Sequence, residues 1–425
     1  MTKTDMTAFN QALAVGRPPN VKTLFPNSRA LIVSGKAVDR AMLNKGQAMT
    51  IAANSRSNAV LRGALLAAQK ADAAVILEIA RSESTYCNVT MWNIARQADQ
   101  AMNELGITVP VAIHADHYGI KKPGDVAEAL VEIPTLFEAG ITSIAVDASH
   151  LPDEENLLAN IALAPVVPGW AGYETEVGEI KGKSGLSTPD EALFLIRGLN
   201  ANGIHPDWIA LNNGTTHGIE ASATGIQVEL TAEIHQALAP YGISGAQHGT
   251  SGNSSDKLKQ IASLTRTTKA NVATALQMIA WGVAVNDYGN AVLDAAGAFT
   301  KEPGKGLDEA LWAEMVAYAG AKGIKAGDYK KLNAVFECKI LGQPKAVRDR
   351  MAGAVAEFVA WLLTDVFNAG GTAPLAVEAL VAAGSYDLGP KAGVIENPAE
   401  WTREKILERA KSLSRDKGPE GDFDD

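Results

Sequence analysis

Three histidines, His117, His217 and His248, stand at the ends of three separate apolar runs in a chain with only seven histidines. His217 and His248 are each followed at once by a glycine, and His117 by Tyr118-Gly119. Three neutral imidazoles bind a divalent cation and leave a fourth position open, so that the metal can polarise an oxygen that enters there. A single histidine in such a place reads as a hydrogen-bonded core residue; three at the ends of apolar runs read as ligands. Asp116 stands directly before His117, a carboxylate next to a candidate ligand.

Something must bring these ends together. Val109, Val111 and Ile113 alternate with other residues before polarity switches at His114, which is the pattern of a strand and its carboxyl end. Apolar, β-rich runs recur near 48–54, 73–80, 109–116, 143–148, 171–178, 208–213, 243–248 and 268–273. Helical periodicity fills the intervals, as in 58–71, 126–139 and 190–202, and several of these segments stop at a glycine: Gly106, Gly140 and Gly203. Eight β/α repeats predict an α/β fold, a (β/α)8 parallel barrel. The histidines end the third, sixth and seventh runs, so all three fall on the carboxyl face, where barrel chemistry is located.

With 425 residues, 47% of them hydrophobic, the chain can bury a full core. A net charge of −10 without a Lys/Arg block points away from nucleic acid and anionic membranes as partners. Cys87 and Cys338 are far apart and lack metal-ligand spacing, and the first ten residues lack a signal-peptide core, so a reducing cytoplasm is expected. The apolar stretch 351–367 is short for a membrane span, carries Glu357 and Asp365, and reads as a helix packed on a neighbour. We divide the chain into a barrel with an N-terminal extension (1–290), a helical extension (291–415) and a disordered tail (416–425). Helices are expected at 310–321, 346–367 and 376–383, the last after a Gly-Gly-Thr-Ala-Pro breaker at 370–374, with oligomerisation as their role.

Six separated motifs, in order over residues 48–280, make the chain resemble the class II, metal-dependent fructose-bisphosphate aldolases. They are His114-Ala-Asp116-His117, Ser143-Ile-Ala-Val-Asp147-Ala-Ser149, Glu174-Thr-Glu176-Val-Gly178, Gly214-Thr-Thr-His217-Gly218, His248-Gly-Thr-Ser251-Gly252 and Lys269-Ala-Asn271-Val-Ala-Thr274. The resemblance implies a zinc ion, or another divalent metal, on His117, His217 and His248, with a monovalent cation left open. It implies that Asp116 moves the proton of the oxygen that alternates between hydroxyl and aldehyde, and that Asn271 hydrogen-bonds a zinc-stabilised enediolate. Asp147 and Glu176 correspond to carboxylates of a second metal position, or hold loops. Asn54 resembles a substrate-contacting asparagine. Gly218, Gly249, Ser251 and Thr274 lie where backbone N–H groups and hydroxyls receive a phosphate, unless the glycines only make turns.

The chain also departs from that pattern. Residues 179–185 are short and basic where the family carries a longer loop with an acidic pair, and Ala273 and Ala275 stand where aspartates flank the threonine. Lys121, Lys122, Lys181, Lys183 and Arg81 are candidates for a second phosphate, and Arg348 or Lys331 for a neighbouring subunit's site. The expected function is reversible cleavage of fructose 1,6-bisphosphate to dihydroxyacetone phosphate and glyceraldehyde 3-phosphate, in glycolysis and gluconeogenesis, by a homo-oligomer (dimer or tetramer) acting on a small phosphorylated sugar. The alternatives are an aldolase for tagatose bisphosphate or another phosphorylated ketose, and a barrel subunit without turnover. A metal-dependent hydrolase is disfavoured, since no fourth carboxylate is evident to bridge two metals.

Overall fold

All eight apolar runs become parallel strands, and the sheet they make closes on itself. The computed structural model describes residues 5–178, 185–214, 225–286 and 289–413. The strands are β1 (Ile32–Val33), β2 (Thr50–Asn54), β3 (Val75–Ala80), β4 (Val111–Gly119), β5 (Ser143–Asp147), β6 (Gly172–Val177), β7 (Trp208–Leu211), β8 (Ser244–Gln247) and β9 (Thr267–Val272). The order β4-β3-β2-β9-β8-β7-β6-β5, closed by β4 against β5, is the expected eight-stranded barrel. Strand β1 is additional: it pairs Ile32 with Val111 and Val33 with Ala112, below the point where β5 joins β4 at His114. Two residues carry no periodicity, which is why the sequence does not announce it.

The intervening helices begin and end where local chemistry directs. Helix Asn58–Ala71 occupies the predicted span: the Ser57 side chain accepts from the Val60 N–H at its start, and Asp72 ends it in the left-handed region. Helix Pro189–Ala201 starts on a capping box between Thr188 and Glu191.

The helices expected after residue 290 are present as Glu309–Lys322, Lys345–Trp361 and Ala373–Ala383. The second continues as a π-helical turn, Leu362–Val366. The third starts inside the anticipated breaker, because Pro374 falls in the first turn, where the N–H it lacks has no intrahelical partner anyway. Helices Leu332–Leu341 and Arg403–Ala410 were not anticipated. Helix Lys345–Trp361 lies along Asn58–Ala71, and Ala373–Ala383 packs on Gly35–Lys45. Val355, Val359, Leu363 and Leu380 share one apolar cluster with barrel residues such as Ile51, Leu61 and Ile76. These helices are therefore walls of the barrel's own core. Among the described residues, no helix is long and apolar enough to cross a membrane.

At Gly63 these two long helices pack tightly: a Cβ there would stand 2.5 Å from the Val355 Cβ and 2.7 Å from the Ala352 carbonyl oxygen. Gly63→Ala should therefore lower the thermal midpoint by an amount corresponding to about 1–3 kcal/mol. Gly353→Ala, on the partner helix with open space around it, should leave stability unchanged or raise it by up to about 1 kcal/mol. Melting curves of the two variants separate close packing from helix propensity.

Candidate active site

In a closed parallel barrel every second residue of a strand points inward, so register alone stacks side chains from different strands into layers. Glu78 pairs in register with His114, and Asn271 with Ala52. One inward layer holds Glu78, His114, Glu174 and Lys269; the next layer toward the carboxyl ends holds Asp116, Glu176 and Asn271. Asn271 Nδ2 donates to Asp116 Oδ1 at 2.9 Å.

Alternation would send His117 outward, since it directly follows inward-facing Asp116. The backbone prevents this: His117 has φ +42°, a conformation few non-glycine residues adopt, at a register shift between Ala115 and Tyr118 in the pairing with β5. The bulge turns the imidazole into the barrel mouth, 4.5 Å between ring centroids from His248. Strain of this kind, of order 1–3 kcal/mol, persists where the surroundings impose it.

The deeper layer is strongly charged. Lys269 has no exposed surface, and its Nζ lies 2.8 Å from Glu174 Oε2, 3.3 Å from Glu78 Oε2 and 3.7 Å from Asp116 Oδ1. Burial alone disfavours its charge, but Glu174, Glu78 and Asp116 outweigh that and hold the ammonium protonated. Burial likewise works against an ionised Glu174, yet Lys269 and His248 bring its pKa down to about 2. Glu78 is pushed well up, by burial first and by Asp116 next, despite Lys269. Burial and Lys269 lower His114 to about 3, so its ring is neutral. Because the His114 Nε2 faces the ammonium at 3.3 Å and must accept, the ring proton lies on Nδ1 and is donated to Ser143 Oγ at 2.7 Å.

Among the described residues, three groups of His, Asp and Glu have ligand atoms within 4.8 Å of one another. The group Glu78, His114 and Asp116 already surrounds a cation, Lys269. Asp116, His117 and His248 form the second, and His117, Asp147 and Glu176 the third. His117 Nδ1 is 3.4 Å from Asp147 Oδ2 and 3.6 Å from Glu176 Oε2. His248 Nδ1 is buried without a hydrogen-bond partner among the described residues. A buried lone pair beside a second imidazole and three carboxylates suits a divalent cation, so the residues present fit one. Asp116 is held below the ordinary carboxylate range: burial raises it, but His117, Lys269, His248 and His114 lower it further. The histidine contributions require charged rings; with neutral, ligating rings, Lys269 remains as the principal cation at Asp116.

His217 and Gly218 lie outside the described residues, as do Lys181, Lys183 and the tail 416–425. Asn54 sits at the end of β2, and its Nδ2 donates to Glu83 Oε2 at 2.9 Å. Glu83 also takes Arg56 Nε at 2.5 Å, and Arg56 Nη1 reaches Thr274 Oγ1 at 3.3 Å and Gln277 Oε1 at 3.4 Å. Arg56 thus places a buried guanidinium beside one of the residues expected to meet phosphate, and sequence reasoning missed it. An arginine two positions past an apolar strand was the available signal. Gly249 adopts φ +60° just after His248, which a side chain would strain. Ser251 lines a small pocket together with Phe358 and Trp361. Arg81 is bound to Glu128 and Glu132, and Lys331 to Asp328.

The family model described as fructose-bisphosphate aldolase class-II matches residues 37–323. This chain belongs to the class-II fructose-bisphosphate aldolase family. A fructose-bisphosphate aldolase of Streptococcus pneumoniae (strain ATCC BAA-334 / TIGR4) is 31% identical over 224 residues, 50% of this chain and 69% of that one. One of Treponema pallidum is 30% identical over 156 residues, 34% of this chain and 43% of that one, and one of Streptococcus pyogenes serotype M6 is 32% identical over 60% of its length. The chain therefore matches less than two thirds of the length of these last two relatives. In fold, the YdjI aldolase of Escherichia coli K12 superposes with a TM-score of 0.55 at 19% identity, covering 80% of this chain and 99% of that one. The Campylobacter jejuni fructose-bisphosphate aldolase gives 0.54 at 16% identity, covering 81% and 97%. Class II aldolases are lyases that depend on a metal in general, and the His/Asp/Glu clusters of this chain accord with that.

For this aldolase-family chain, His248→Ala should lower affinity for zinc by more than about 100-fold, beyond the loss typical of residues that merely orient ligands. His114→Gln should retain the metal. Metal content after gel filtration against a chelator distinguishes the two.

Proposed function

We propose that the chain is a zinc aldolase that reversibly cleaves fructose 1,6-bisphosphate to dihydroxyacetone phosphate and glyceraldehyde 3-phosphate. The observation that carries this reading is the Asp116–Asn271 pair, a 2.9 Å hydrogen bond one layer above a buried ammonium and beside two imidazoles that converge on one space. His117 and His248, with His217, would hold the metal, whose chemistry when bound is to polarise a ketone oxygen. Ionised Asp116 accepts the proton of the hydroxyl that becomes the aldehyde and returns it in the condensation direction. Asn271, fixed by its bond to Asp116, presents its amide to the oxygen on which charge develops. Asp147 and Glu176 would serve a second metal position at His117, and Asn54, Gly218, Gly249, Ser251 and Thr274 would receive substrate, with Arg56 supplying positive charge at Thr274.

A lysine Schiff base is disfavoured by the same geometry. Among the described residues, Lys269 is a lysine of the barrel interior, and as a fully enclosed ammonium ion-paired with carboxylates it has no lone pair to attack a carbonyl. Cys87 and Cys338 are free thiols, which suits a reducing cytoplasm. Homo-oligomeric assembly and a place in glycolysis and gluconeogenesis complete the reading.

Cleavage of fructose 1,6-bisphosphate, followed by triose phosphate release, should vanish after a strong chelator and return with zinc. No cleavage by a protein that carries stoichiometric metal would turn the assignment to tagatose bisphosphate or another phosphorylated ketose, or to a barrel without turnover. Asp116→Asn should keep its metal and lose about 10²–10⁴ in kcat; an undiminished rate would remove Asp116 from the proton path.

A further inference from the structure

Two glutamates of β6 face the barrel interior, and their surroundings assign them different work. Glu176 lies 3.6 Å from His117 Nδ1 and 3.8 Å from His248 Nδ1, beyond hydrogen-bond reach of either. Glu174, one layer deeper, bridges two groups: Oε2 meets Lys269 Nζ at 2.8 Å, and Oε1 meets His248 Nε2 at 2.9 Å. All three side chains are essentially without exposed surface.

The Lys269 ammonium is ion-paired with Glu174 Oε2 at 2.8 Å, which favours the ionised carboxylate. A carboxylate ion-paired on one oxygen also accepts on the other, and the 2.9 Å contact then requires a proton on His248 Nε2. Nδ1 is left with its lone pair, buried and without a partner among the described residues, 3.8 Å from Glu176 Oε1, while the His248 ring lies 4.5 Å between centroids from that of His117.

We propose that Glu174, anchored by Lys269, is a positioning residue that holds His248 in its Nε2–H tautomer and aims the Nδ1 lone pair at the space shared with His117 and Asp116. The proposal rests on the metal reading given above, and it gives Lys269 a place in that reading. A free carboxylate in this layer would swing between His114 and His248, since Glu174 Oε2 also lies 3.6 Å from His114 Nε2. The Lys269 ammonium occupies that side, so Glu174 has one histidine left to hold. Ring orientation and tautomer are thereby decided before any cation arrives, which removes an ordering cost from binding.

The test combines cobalt binding with ¹⁵N-histidine NMR of the metal-free full chain, the His248 signal being assigned by its loss in His248→Asn. The wild type should show the Nε2–H tautomer for His248. Glu174→Gln, which can turn an amide N–H toward the ring, should shift His248 toward Nδ1–H, weaken cobalt binding by about 10–100-fold and alter the cobalt absorption spectrum. Glu174→Asp should recover part of the affinity. A folded Glu174→Gln protein with wild-type tautomer, spectrum and affinity overturns the positioning role. Should that variant fail to fold, the wild-type signal still decides: an Nδ1–H ring in a protein that binds cobalt overturns the proposal alone. A wild-type chain that binds no cobalt overturns the metal reading beneath it.

Discussion

The Lys269 ammonium, enclosed in the barrel with no exposed surface, is the constraint around which the interior is arranged. Moving such a charge out of water carries a penalty of several kcal/mol even after relaxation, and only carboxylates at close range offset it. Glu174 and Asp116 do so at 2.8 and 3.7 Å, and the Glu78 carboxyl group lies at 3.3 Å. Three carboxylates around one ammonium would leave excess negative charge, and the high pKa of Glu78 relieves it by favouring a neutral acid. Removal of a single partner from such a cluster typically costs 3–5 kcal/mol, roughly the whole margin of many domains. The layer is therefore coupled: each member keeps its state because the others keep theirs.

That coupling reaches the mouth by two short routes. Lys269 stabilises the charge of Asp116, and Asn271 on the same strand, two residues along, fixes its orientation. Through Glu174 the ammonium also bears on His248. His117 enters from a different cause, the bulge in β4 that breaks strand alternation. Two neighbouring residues can face one site only if the backbone between them leaves the regular pleat.

The C-terminal helices add a third influence. Asn333 Nδ2 donates to Gln277 Oε1 at 3.0 Å, and the same oxygen accepts from Arg56, which reaches Thr274. The Ala334 N–H donates to the Tyr86 carbonyl in the loop after β3 at 3.0 Å. The extension thus holds the βα loops of its own barrel, beside the groups expected to receive substrate. Oligomerisation remains its proposed further role.

Much of this was present in local pattern. Alternation at Val109–Ile113, the glycines beside the histidines and the regular spacing of apolar runs carried the barrel and the face on which chemistry sits, because period-2 and period-3.6 patterns are written by neighbours along the chain. Residue types carried His117 and His248 as candidates, since few side chains bind metals, and the resemblance to a known family added the roles of Asp116 and Asn271. What those patterns lacked was distance across the barrel. Lys269 and Glu174 read as ordinary strand residues until the register of β6 and β9 set them 2.8 Å apart. The outward residue His117 became an inward one through a single positive φ that no propensity encodes. Arg56 acquired its partners from the loop after β3, the helix after β9 and, through Gln277, the C-terminal helices. Chemistry that depends on which groups exist was legible in the sequence; tautomer, charge state and orientation were decided only by the closed barrel, because they depend on groups brought together from far along the chain.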